Sequence, residues 1–169
     1  MISLVPSKRH IKGFKNVSEQ KEKKYKVSAS EKFVRLLNNL PDTPSKKHPS
    51  EQPDQHKVVG FIQTYLASGM DPALLRGKIV KSDNVPTDDR DWLEKVRYAQ
   101  RHNLWHYHIG IPFYVDEGKG YLTSGYVLHY QQIDDAHIKL VDLDWHPPMV
   151  LPSEAYLEGD ILLGDTSSE

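Results

Sequence analysis

The sequence predicts an α+β fold: N-terminal helices packed on a small antiparallel sheet, with a basic N-terminal arm in front. Three observations carry this. Apolar residues recur at helical spacing between residues 33 and 99. From residue 104 to 143 the apolar period falls to two, the repeat of a strand with one buried face. Ahead of both, lysine and arginine crowd a segment with few apolar residues. The chain has 169 residues, 38% of them hydrophobic, and a mean hydropathy of −0.61, which suits one domain or one domain plus an arm.

Residues 8–26 carry Lys8, Arg9, Lys12, Lys15, Lys21, Lys23, Lys24 and Lys26 and read as a flexible arm. Ser28 and Glu31 have the spacing of a capping box, and Phe33, Leu36, Leu37 and Leu40 follow as the apolar stripe of a short helix ended by Pro41. Pro41, Pro44, Pro49 and Pro53 stiffen a linker over 41–56, so the arm, short helix and linker of residues 1–56 are expected to precede an α+β domain of residues 57–169. Val58, Val59, Ile62, Tyr65 and Leu66 predict a helix ending near Gly69. Asp71-Pro72 predicts a short helix through Leu75, and Trp92, Val96 and Ala99 a third helix running to about His102. Strands are expected at 104–111, 121–131 and 137–143, with Trp105, Tyr107 and Ile109 facing the helices and His106 and His108 facing away.

The chain carries no cysteine, which excludes disulfides, thiolate metal sites and thiol catalysis. No apolar run reaches the roughly 18 residues of a membrane span and no signal-peptide core opens the chain, so a cytoplasmic protein without membrane partners is expected. Gly-rich phosphate loops, a Gly-x-Ser-x-Gly elbow and His-Glu-x-x-His are all missing. The net charge of −1 conceals an asymmetry: residues 1–57 hold 13 Lys/Arg against 6 Asp/Glu, and residues 58–169 hold 9 against 17. A basic front half of this kind suits contact with phosphates or with the chain's own acidic half.

Six of the nine histidines fall between positions 102 and 146: His102, His106, His108, His129, His137 and His146. Strand alternation sets His106 and His108 side by side, and His129 and His146 can join them from the next strands. Imidazole titrates near neutrality, so such a group suits general acid–base cleavage of an RNA phosphodiester without a cofactor. The same residues suit a metal site with His129 or Asp142 as a third ligand. A histidine on a half-exposed strand is also often no more than a polar residue beside water.

The runs Leu104-Trp105-His106-Tyr107-His108-Ile109-Gly110, Tyr126-Val127-Leu128-His129-Tyr130 and Ile138-Lys139-Leu140-Val141-Asp142-Leu143 resemble the sheet of RelE/ParE-type bacterial toxins. The His-rich variant is more similar to the YafO-like branch. The order of elements matches over about residues 57–148, while the family commonly has arginine where this chain has His106 and His108. The resemblance implies cleavage of messenger RNA, often on the ribosome, and restraint by a protein antitoxin. On this reading His106 and His108 stand nearest the scissile phosphate. His129 or His146 is the second proton-transfer group, Tyr130 orients substrate, and Arg101 or Lys139 stabilises the phosphorane. Two further readings use the same residues differently. One is a non-enzymatic interaction protein in which acidic body and basic arm bind a partner. The other is a metal-dependent hydrolase built on the histidines.

Overall fold

The computed structural model describes residues 22–166. Its centre is a six-stranded mixed sheet in the order β2-β3-β6-β7-β1-β8. The strands are β1 (Lys26–Ala29), β2 (Ile79–Lys81), β3 (Leu104–Ile111), β6 (Tyr126–Asp134), β7 (His137–Trp145) and β8 (Ile161–Asp165). A two-stranded ribbon, β4 (Val115–Asp116) with β5 (Leu122–Thr123), lies in the β3–β6 connection. The helices are α1 (Glu31–Asn39), α2 (Asp54–Ser68), α3 (Trp92–Arg101) and α4 (Glu154–Leu157). The α+β class and the β3-β6-β7 meander agree with the sequence reading. Residues before Glu22, which include most of the expected basic arm, lie outside the described part of the chain.

The sheet is larger than the meander and is not wholly antiparallel. β1 enters it parallel to β7, Lys26 opposite His137 and Ala29 opposite Leu140, and pairs antiparallel with β8 on its other side. The short helix expected before Pro41 is α1, whereas Lys26–Ala29, where no strand was expected, is a strand of the sheet. Val27, Ala29 and Phe33 are fully buried. Pairing on both sides keeps Ser28 extended, so the helix cap falls two residues later than expected. Ser30 is the N-cap, and its Oγ accepts a hydrogen bond from the Phe33 amide at 3.2 Å. The short helix expected from Asp71 to Leu75 is instead a turn, held by the Ala73 amide on the Asp71 carboxylate at 2.9 Å.

One face of the sheet packs on α1 and α2. Its core holds Phe33, Val58, Phe61, Tyr65, Tyr107, Leu128, Tyr130, Ile138 and Leu140. The rings of Phe61 on α2 and Tyr107 on β3 are 5.0 Å apart, which is how α2 seats on the strand. Each such side chain contributes about 1.5–3 kcal/mol by leaving water. The opposite face is not bare, although the sequence placed helices on one face only. There Ala99 of α3, Leu104 and Val141 form a second, smaller apolar cluster joined by Tyr98, Leu151 and Leu157. The histidines lie on this second face.

Candidate active site

Each histidine reaches the cluster by a separate local rule. In β3, Tyr107 and Ile109 point to the α2 side, so His106 and His108 point to the other face. Antiparallel pairing sets His129 directly opposite His106 and Val127 opposite His108. On the far side of β6, Asp142 pairs with His129 and Asp144 with Val127. The face thus carries a rung His106–His129–Asp142 and, beside it, a rung His108–Val127–Asp144. His146 follows β7. Its amide donates to the Gly125 carbonyl at 2.7 Å, one residue beyond the Tyr126–Trp145 pair of the β6–β7 ladder.

The imidazoles meet closely. Ring centroids are 6.0 Å apart for His106 and His108, 6.0 Å for His106 and His129, 5.7 Å for His106 and His146, and 5.6 Å for His108 and His146. One nitrogen each of His106, His108 and His146 lies within 4.8 Å of the other two. Two serines hold the β3 rings. Ser82 Oγ is 3.1 Å from Nδ1 of His106. Ser124 places its carbonyl oxygen and its amide nitrogen each 3.0 Å from Nδ1 of His108. Gly77 permits the chain leading into β2 to run close beside β3, because a Cβ there would collide with the His108 carbonyl oxygen.

His106, His108 and His129 are buried and His146 is half-buried. Burial lowers the pKa of all four, to about 3 for His106 and about 4 for His129. Neighbouring imidazoles and Lys78 push His106 further down, whereas Asp144 works the other way on His129. The rings are therefore neutral near pH 7, each with one nitrogen lone pair. Both nitrogens of His129 and Nδ1 of His146 are buried without a hydrogen-bond partner among the described residues. Such an orphaned polar atom costs about 1–3 kcal/mol. Asp142 behind them is raised to about 6 by burial, opposed by its bond from the Leu143 amide.

The structure separates the residues singled out in the sequence. His106, His108, His129 and His146 come together. Tyr130 does not join them: it adjoins His129 in β6, points to the opposite face and is buried in the α2-side core. Lys139 is tied to the Leu157 carbonyl, its Nζ donating at 2.6 Å. Arg101, at the end of α3, lines a surface groove with Arg97, Tyr98 and Glu154. His102 packs on Tyr98 at 4.6 Å, and Nε2 of His137 meets Ser28 Oγ at 2.8 Å.

A cation whose charge reaches the cluster is Lys78, which sequence reasoning missed. The His108 amide donates to the Lys78 carbonyl at 2.9 Å, the Lys78 ammonium lies 5.0 Å from the centre of the Tyr121 ring, and its charge bears on His106, His108 and His146. Its only sequence signal is its place just ahead of the short apolar run Ile79-Val80, too short to be read as a strand. No protein-family model, no curated protein and no solved structure matches this chain.

Proposed function

We propose that this protein is an endoribonuclease of toxin type, which cleaves RNA by acid–base transesterification at the histidine cluster and is held inactive by a protein antitoxin. One observation carries the reading: four imidazoles converge on a single sheet face, with the His108 and His146 rings 5.6 Å apart. Two groups so spaced bracket one phosphorus, each within about 2.6–3.2 Å of its own oxygen.

The placement supports one reaction. The ribose 2′-oxygen attacks phosphorus and the bond to the 5′-oxygen breaks, giving a 2′,3′-cyclic phosphate and a 5′-hydroxyl. His108, tethered through Nδ1, takes the 2′ proton at Nε2. His146, the least buried of the four, gives a proton to the departing 5′-oxygen. An incoming phosphate anion favours its protonated form, which its surroundings otherwise disfavour. Lys78, whose charge bears on both rings, offsets the charge that develops on the non-bridging oxygens. His106 supports the pair from the same face, and fully buried His129 stands behind it. The likeness of residues 104–110, 126–130 and 138–143 to RelE/ParE-type toxins points to the same substrate.

The test is cleavage of a defined RNA by purified protein, with and without ribosomes, in the presence of chelator, beside growth and RNA integrity on induction in a bacterial host. Cleavage ending in cyclic phosphate, lost in His108→Ala and His146→Ala, is expected. Intact RNA in every condition, with normal growth, refutes the reading.

A further inference from the structure

We infer that His106, His108 and His146 form a binding site for one divalent transition-metal ion of the zinc class. The inference is independent of the RNA-cleaving reading and concerns the same face of the sheet.

The geometry stands first. Three imidazole nitrogens from two separate segments lie within 4.8 Å of one another. A tetrahedral ion about 2.0–2.1 Å from each nitrogen sets its ligands about 3.4 Å apart, so modest rotation of the side chains closes the site. The rings are prepared for this. Ser82 and the Ser124 carbonyl engage Nδ1 of His106 and His108, which leaves Nε2 as the free nitrogen. A ligand histidine is normally held through its other ring nitrogen in this way. Orphaned buried nitrogens supply an independent sign: His146 Nδ1 and both nitrogens of His129 have no partner among the described residues. An ion gives the first of these rings a use, and His129, whose ring is 6.0 Å from that of His106, lies in reach of the ion's outer sphere.

Donor chemistry selects the ion. An all-imidazole set suits zinc, copper, nickel or cobalt, whereas magnesium and calcium require oxygen ligands. Asp142 and Asp144 lie on the same face, in β7 opposite His129 and Val127 of β6.

The test uses full-length protein stripped with chelator and desalted. Zinc chloride is titrated calorimetrically, and cobalt chloride is followed by its visible absorption. One ion per chain is expected, with the intense absorption of four-coordinate cobalt. His108→Ala and His146→Gln should each weaken binding by more than about 100-fold, beyond the 10–100-fold cost of losing an outer-sphere partner. His56→Ala, on the exposed start of α2, should bind as wild type. Circular dichroism reports whether each variant folds, and the wild-type titration stands without them. No saturable binding to the wild-type chain overturns the site. So does binding that survives both cluster substitutions in folded protein, or binding that His56→Ala removes.

Discussion

Ser124 presents both its carbonyl oxygen and its amide to Nδ1 of His108, each at 3.0 Å. Either tautomer of the ring is therefore hydrogen-bonded: Nδ1–H donates to the carbonyl, or its lone pair accepts from the amide. The ring can take or release a proton at Nε2 without losing its tether. For this reason His108→Ala is expected to lower RNA cleavage by about 100- to 10,000-fold, the usual worth of a proton-transfer group. Single-turnover cleavage rates, with thermal melts to establish folding, check this. A rate within threefold of wild type, roughly 0.6 kcal/mol, would remove His108 from the mechanism.

Lys78→Gln is expected to weaken RNA binding and to reduce the dependence of log Kd on log salt by about one ion. The fold should be unaffected, because the Lys78 backbone makes the β-ladder contact to His108 and the side chain does not. Filter binding across a salt series measures it. An unchanged slope would place the ammonium away from the phosphates.

Tyr130→Phe is expected to leave cleavage unchanged, because the side chain faces the α2-side core and the histidines face the other way. Tyr130→Ala should instead cost about 3–5 kcal/mol of stability through the cavity it leaves. Urea unfolding and cleavage assays on the two variants separate the effects. A large loss of rate in folded Tyr130→Phe would contradict the assignment of faces.

Acid is expected to unfold chelated protein early. In the unfolded chain histidine protonates near 6.5, but in the fold His106 and His129 are held down to about 3 and about 4. Between these limits the unfolded state binds more protons, so the stability these rings contribute is whole above about pH 6.5 and is lost as pH falls toward 4. Asp142, raised to about 6, has the opposite sign between its ordinary value and 6, and offsets one ring of the two. His129→Leu removes two orphaned nitrogens together with a titrating ring. It should raise stability at neutral pH by about 1–3 kcal/mol and flatten the slope between pH 4 and 6.5. Urea unfolding at several pH values tests both, and a steeper slope in the variant would reverse the sign.

Zinc at one equivalent is expected to suppress RNA cleavage, because it occupies the nitrogens of His108 and His146 that transfer protons. Excess chelator should restore the rate. If zinc stimulates cleavage while chelator abolishes it, the histidines serve metal-assisted hydrolysis instead.

Much of the site was legible in the sequence because strand alternation is local. Eight residues of β3, Leu104–Ile111, already place His106 and His108 on the face opposite Tyr107 and Ile109. The same rule separates adjacent His129 and Tyr130, so assigning both to one site conflicted with the alternation itself. What lay beyond the sequence depends on pairing at long range. His129 meets His106 because β6 pairs with β3 in one register out of several, and a slip of one residue would turn it away. His146 arrives through a single backbone bond to Gly125, and Lys78 through a three-residue edge strand that no periodicity marks. β1 lies between β7 and β8, parallel to the first and antiparallel to the second, joined to partners more than a hundred residues away. Its four residues, Lys26–Ala29, carry too little pattern to be told from the arm before them. A side chain's face follows from its own backbone, whereas its neighbours follow from where the whole chain buries its apolar surface, and only the tertiary structure decides that.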